Sequence, residues 1–120
     1  MKKVLILDNS KALRRCISFV LEQNDFFVLE AQTGLEGLEA LDENPVDLVI
    51  TGVDIPRQDE GRLLKKLQEK KRHKIIPVLV LSSEKEKAAL EKKIDSPANG
   101  WIVKPFSMDK LMTEVNRVCV

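Results

Sequence analysis

The sequence predicts an α/β domain in which a five-stranded parallel sheet is covered by helices on both faces. Five short apolar runs alternate with longer stretches of helical period, which is the pattern of repeated strand–helix units. The runs are mostly continuous, as in strands that are buried on both faces. A chain of 120 residues with 43% hydrophobic content can form one such domain, so residues 1–120 are predicted to be a single domain.

The predicted strands are the apolar runs, and the stretches between them are predicted to be helices. Two of these stretches carry apolar stripes at helical spacing, which are predicted to be buried faces. The strands are Val4–Leu7, Phe27–Leu29, Leu48–Thr51, Val78–Leu81 and Trp101–Val103. The stripes are Leu13, Cys16, Ile17, Val20 and Leu21 in the first helix, and Met108, Leu111, Met112, Val115 and Val118 in the last.

Local signals mark several helix starts. Thr33 with Glu36, and Ser83 with Glu86, match the capping box, in which two side chains satisfy backbone N–H groups of the first turn. Ser107 is predicted to cap the last helix.

Charge and composition exclude several classes of function. The formal net charge of +1 gives no bulk attraction to nucleic acid or to a membrane. The basic run at 70–74 lacks interleaved aromatic residues, so it is interpreted as the solvated end of a helix over 60–71. The N-terminal apolar run is too short for a signal peptide or a membrane span, and the two cysteines do not suggest a disulfide framework or a zinc site. The predicted location is the cytoplasm.

Polar residues gather where the predicted strands end. In a doubly wound sheet the loops at the carboxyl ends converge, and ligands bind there. An acid, an amide, a hydroxyl and a lysine at one edge would suit an anion or a phosphoryl group beside a divalent cation. The residues at this edge are Asp8, Asn9, Gly52, Asp54, Ser82, Ser83 and Lys104.

The whole chain resembles the receiver domains of two-component response regulators, and it is close in size to the stand-alone chemotaxis type. LILDNSKALRR resembles the family's first strand with its acidic pair, and DLVITGVDIP resembles the phosphoacceptor strand. VLVLSS resembles the switch-hydroxyl strand, and WIVKPF the lysine-proline strand end. The resemblance implies a three-layer, flavodoxin-like (βα)5 fold with strand order 2-1-3-4-5, and a non-enzymatic role in phosphorelay signal transduction.

The resemblance also assigns roles to the residues around the missing acceptor. Asp8 matches the first acid of the metal-binding pair, and Asn9 stands where the second acid would contact Mg²⁺. Gly52 falls on the phosphoacceptor aspartate, because the family's proline lies four residues beyond that aspartate and Pro56 lies four beyond Gly52. The position of the nucleophile is therefore occupied by a residue without a side chain.

The other matched positions follow the family. Asp54 matches the residue whose backbone carbonyl helps to hold the metal, and Ser82 matches the switch hydroxyl. Lys104 matches the cation that pairs with the phosphoryl group, and Trp101 takes the place of the aromatic switch. The Lys104–Pro105 bond resembles the family's cis peptide.

The two departures predict an atypical receiver, or pseudo-receiver. Glycine has no atom that can attack phosphorus, so an acyl phosphate cannot form at Gly52. Asn9 in place of an acid leaves Asp8, with the Asp54 carbonyl, to hold a metal, so Mg²⁺ binding is expected to be weak or absent and no other cofactor is expected. Lys104 is expected to form a salt bridge with Asp8 or Asp54, because an unpaired ammonium in a partly buried cleft is costly.

The resemblance implies protein partners. These are a histidine kinase or a downstream effector, bound at the surface formed by the fourth helix, the fifth strand and the fifth helix of the family. Neither nucleic acid nor a membrane is an expected partner, and the chain is expected to be a monomer or a weak homodimer with no effector domain of its own.

Alternatives remain open. A tight strand-to-loop transition also favours a glycine at position 52. Asp54 is a candidate substitute acceptor in an ordinary phosphorylatable receiver, although it lies two residues further along the chain. A small phosphatase of haloacid-dehalogenase-like type would use Asp8 as its nucleophile, but that motif needs an acid where Ser10 stands. A flavodoxin-type cofactor binder needs a phosphate-cradling loop after the first strand, and DNSKALRR is not such a loop.

Overall fold

The structure, a computed structural model, describes residues 1–52, 76–91 and 99–119. All five predicted strands are present in one parallel sheet of order β2-β1-β3-β4-β5, which confirms the predicted topology. Each strand is one or two residues longer than predicted, because polar and small residues at the strand ends also pair in the ladders. The strands are β1 (Lys3–Leu7), β2 (Phe27–Ala31), β3 (Leu48–Gly52), β4 (Val78–Ser82) and β5 (Gly100–Val103).

The described ranges contain four helices, and each follows a strand. The helix predicted over 60–71 and its basic end at 70–74 lie outside the described residues. None of the helices within the described ranges is long and apolar enough to cross a bilayer. The helices are α1 (Lys11–Gln23), α2 (Gly34–Glu43), α3 (Glu84–Glu91) and α4 (Met108–Val118).

Side-chain caps begin the helices. The capping box at α3 is complete, because the Glu86 N–H donates to Ser83 Oγ at 3.1 Å and the Ser83 N–H donates to Glu86 Oε1 at 2.8 Å. At α2 the Glu36 N–H donates to Thr33 Oγ1, but the Glu36 carboxylate accepts from the N–H one residue before the cap. Hydroxyl caps begin the other two helices, at Ser10 for α1 and at Ser107 for α4.

The sheet has an apolar core on each face. On one face, α1 and α4 pack over strand residues such as Ile6, Ile50 and Ile102, which are fully buried. On the other face, α2 packs over the alternate strand residues, such as Leu7 and Val49. This arrangement is the predicted three-layer, flavodoxin-like architecture, and both faces of the central strands are covered.

The buried face of α1 differs from the predicted one. Cys16 was assigned to that face but is exposed, whereas Arg14 and Ser18 are buried with Ile17 and Leu21. The prediction was wrong for Cys16 alone, because the other members of the stripe are buried or half-buried. Arg14 joins this face because an arginine can lay its aliphatic stem on apolar surface and still direct its guanidinium to polar groups. The stripe predicted for α4 is confirmed, since all its members are buried or half-buried.

Candidate functional site

Asp8 and Gly52 are neighbours at the carboxyl edge of the sheet. The β1–β3 ladder ends with the pair Leu7 and Thr51, and the next residue on each strand is a predicted site position. Asp8 is only 4% exposed, and its Oδ1 accepts the Ser10 N–H at 2.8 Å. The Asp8 carboxylate is therefore held at the N-terminal turn of α1, where the helix dipole favours a negative charge.

Position 52 lacks space for a side chain in this arrangement. No glycine among the described residues has a positive φ, so the backbone at Gly52 does not require glycine's conformational freedom. A Cβ placed on Gly52 would overlap with Asp8 Oδ2 and would lie 3.1 Å from Asp8 Cγ. The Asp8 carboxylate thus occupies the volume in which a side chain at position 52 would begin.

Ser82 and Lys104 form the other half of this edge. The Lys104 N–H donates to the Ser82 carbonyl oxygen at 2.8 Å, and the peptide bond from Lys104 to Pro105 is cis. Ser82 is fully buried, and its Oγ has no hydrogen-bond partner in the part of the chain that the structure describes. An unsatisfied hydroxyl therefore stands at the position that the resemblance assigns to the switch.

The salt bridge predicted for Lys104 is not formed with Asp8. Lys104 is half-buried, and it pairs with no carboxylate in residues 1–52, 76–91 and 99–119. The Asp8 carboxylate is instead directed to α1 and β3, because its Oδ1 accepts the Ser10 N–H and its Oδ2 lies against Gly52. Asp54, the other predicted partner, lies outside the described residues.

Arg14 belongs to the site but was not predicted. Its side chain is 10% exposed, its Nη1 donates to the Asp8 carbonyl oxygen at 2.5 Å, and its Nε donates to Glu30 Oε1 at 3.3 Å. The guanidinium thereby connects the end of β1 to the edge strand β2. The available signal was a cation spaced three residues before Ile17 and seven before Leu21, on the apolar side of the helix.

The described residues do not by themselves fit a magnesium site. Mg²⁺ requires an octahedral set of oxygen ligands, usually with one or two carboxylates. Asp8 supplies the one described carboxylate at a matched position, and Asn9 is exposed. No group of three acidic, histidine or cysteine side chains within the described ranges is arranged to hold a metal ion.

Trp101 lies on the edge strand β5, opposite Val80 of β4. Both side chains are half-buried, whereas Ile102, the next residue, is fully buried in the core beneath α1 and α4. Because successive side chains of a strand alternate in direction, Trp101 lies on the opposite face of the sheet from α4. Its role as a switch stays a prediction.

Known proteins share this fold and sequence pattern. The model of the response regulator receiver domain matches residues 4–116. The chain belongs to the response regulator receiver family. The receiver is 33% identical over 118 residues to chemotaxis protein CheY1 of Helicobacter pylori, a match that covers 97% of this chain and 95% of CheY1. It is 32% identical over 117 residues to two-component response regulator ORR5 of Oryza sativa, covering 97% of this chain and 84% of ORR5.

Solved structures place the receiver in the same fold. Chemotaxis response regulator CheY4 of Vibrio cholerae has a TM-score of 0.83 and 31% identity, with 98% of each chain covered. The receiver also matches 46% of the length of transcriptional regulatory protein SrrA of Staphylococcus aureus, at 30% identity over 113 residues. It is homologous to chemotaxis proteins and to other response regulators, and its function lies in two-component signal transduction.

Proposed function

We propose that this receiver transmits signals through protein contacts without forming an acyl phosphate at position 52. One observation carries the proposal: at the acceptor position there is no side chain, and the carboxylate of Asp8 fills the space where one would begin. A receiver of this kind takes its conformation from a partner protein and not from a covalent phosphoryl group. It is a signalling module and not an enzyme.

Asp8 is a poor substitute for the missing nucleophile. A nucleophile must reach the phosphorus atom along a line open to the phosphodonor. The Asp8 carboxylate is buried, one oxygen accepts the Ser10 N–H, and the other lies against Gly52. The same burial argues against the phosphatase alternative, in which Asp8 would be the nucleophile and Ser10 would have to be an acid.

We infer weak or absent Mg²⁺ binding and no other cofactor. With Asn9 in place of an acid and no carboxylate at position 52, Asp8 is left with the Asp54 backbone to provide ligands. The histidine kinase or effector is inferred to bind at α3, β5 and α4, a surface that includes Trp101 and adjoins Lys104. A cytoplasmic location and a monomeric or weakly dimeric state complete the proposal.

The experiment that tests this proposal is phosphorylation of matched variants. The wild-type receiver and Gly52→Asp, Asn9→Asp and the double variant are incubated with Mg²⁺ and acetyl phosphate, and intact mass spectrometry measures the adduct. We expect no adduct on the wild type or on Asn9→Asp, and an adduct at residue 52 of the double variant. Gly52→Asn is the control, because it adds similar volume without a nucleophile and should stay unlabelled.

A phosphoryl adduct on wild-type Asp8 or Asp54 would overturn the proposal. A second readout covers the phosphatase alternative: magnesium-dependent hydrolysis of an aryl phosphate by the wild type, lost in Asp8→Asn, would show that the chain is an enzyme.

A further inference from the structure

We propose that Asp8 and any side chain at position 52 compete for one volume, so that the Asp8 carboxylate is the built-in occupant of the acceptor pocket. A Cβ on Gly52 would overlap with Asp8 Oδ2 but would lie 3.7 Å from Asp8 Cβ, an ordinary contact. The conflict therefore involves the carboxylate alone. Its meaning for signalling rests on the proposed function, since that proposal makes residue 52 the acceptor position.

Neither backbone can easily withdraw from this conflict. Gly52 lies in a central strand whose residues pair with β1 on one side and with β4 on the other. The Asp8 N–H donates to the Ala31 carbonyl at 3.1 Å, and the Asp8 carbonyl accepts from Arg14 at 2.5 Å. With both main chains held, a side chain at position 52 has to displace the Asp8 carboxylate by a side-chain rotation. That rotation breaks the hydrogen bond from the Ser10 N–H.

This mutual exclusion of the Asp8 carboxylate and a side chain at position 52 explains how the receiver can keep one conformation without a phosphoryl group. In the present arrangement the negative charge of Asp8 is stabilised by the N-terminal turn of α1. An aspartate introduced at position 52 would bring a second negative charge close to the first, which is unfavourable unless a cation or a proton offsets it. Among the described residues, the carboxylate beside Gly52 is the one supplied by the end of β1.

A double-mutant cycle tests the exclusion without any phosphorylation assay. Urea unfolding gives the folding equilibrium constants of the wild type, Gly52→Ala, Asp8→Ala and the double variant. We expect Gly52→Ala to lower the folding constant of the wild type about tenfold or more, because the added methyl group overpacks the site and displaces a buried hydrogen bond. In the Asp8→Ala background the two methyl groups fit, and the same change should alter the constant less than about threefold.

Two controls are needed. The first tests whether the effect depends on the volume or on the charge of the Asp8 side chain, and the second tests a glycine that is distant from Asp8. Asp8→Asn keeps the volume of the side chain, so Gly52→Ala should be as costly in that background as in the wild type. Gly100→Ala is the distant control: its Cβ would lie 2.9 Å from Leu79 Cδ2 at the other end of the sheet, so its effect should be the same with and without the Asp8 carboxylate.

A measurement on a single variant covers the case in which Asp8→Ala does not fold. In Gly52→Ala, the amide of Ser10 should lose its protection from hydrogen exchange and change its chemical shift, because Asp8 Oδ1 no longer accepts from it. An unchanged Ser10 amide, or an equal cost of Gly52→Ala with and without the Asp8 carboxylate, would overturn the exclusion. Either result would leave the proposed function unaffected, because position 52 would still lack a nucleophile. A phosphoryl adduct on the wild type, in contrast, would overturn the proposed function and leave the result of the double-mutant cycle unaffected.

Discussion

The two halves of the carboxyl edge differ in how their polar groups are satisfied. In the β1–β3 half, the Asp8 carboxylate accepts the Ser10 N–H and fills the space beside Gly52, and the backbone carbonyl of Asp8 accepts from Arg14. In the β4–β5 half, Ser82 Oγ and the Lys104 ammonium have no partner among the described residues. The polar groups of the β1–β3 half are therefore bound within the protein, whereas those of the β4–β5 half have no partner among the described residues.

Among the substitutions that test this difference between the two halves, replacement of Arg14 is expected to have the largest effect on stability. Replacing Arg14 with methionine keeps much of the aliphatic stem but leaves Glu30 and the Asp8 carbonyl without their donor. Because the side chain is 10% exposed, we expect the free energy of unfolding to fall by about 3 kcal/mol, measured by urea denaturation.

The adjacent arginine provides the control for this loss. Arg15 Nε lies 3.9 Å from Glu30 Oε2, but its side chain is 70% exposed. Arg15→Met should therefore cost less than about 1 kcal/mol, as surface ion pairs do. Equal losses for the two variants would mean that the guanidinium of Arg14 does not support the end of β1.

The positions of the strands and of several helix starts could be predicted from the sequence, because apolar runs and capping residues determine local structure. All five strands lie where continuous apolar runs occur, and Ser83 with Glu86 forms the predicted capping box. The strand order came from the family resemblance, since periodicity gives no information about which strands are neighbours. The sheet of this chain has that order, and the solved structure of CheY4 shares its fold.

The site was harder to predict, because its chemistry depends on side-chain directions. The resemblance identified Asp8, Gly52, Ser82 and Lys104, and the register places them along one edge. It could not predict that Asp8 turns toward α1, since any of several rotamers is compatible with an aspartate at a strand end. That choice of rotamer explains why Lys104 forms no salt bridge with Asp8, whereas the predicted alternative partner, Asp54, lies outside the described residues.

The next expected effect compares two adjacent serines at the end of β4. Ser83 caps α3 through a reciprocal pair of hydrogen bonds with Glu86, so Ser83→Ala should lower the free energy of unfolding by about 1 kcal/mol. Ser82 Oγ is buried and makes no hydrogen bond within the described ranges, so Ser82→Ala should leave stability unchanged or raise it by about 0.5 kcal/mol. Thermal or urea denaturation of both variants measures the difference, and a loss at Ser82 as large as that at Ser83 would show that its hydroxyl is already bound.

The smallest expected effect on stability is at Lys104. Its replacement tests most directly whether the polar groups of the β4–β5 half lack partners in the wild type. The half-buried ammonium pairs with no described carboxylate, so Lys104→Met should change the free energy of unfolding of the wild type by no more than about 0.5 kcal/mol. In the Gly52→Asp, Asn9→Asp variant the same substitution should abolish most of the phosphoryl adduct, because a cation is then needed where negative charge accumulates. A large stability loss in the wild type would instead mean that Lys104 already has an internal partner, and the β4–β5 half would then be as closed as the half around Asp8.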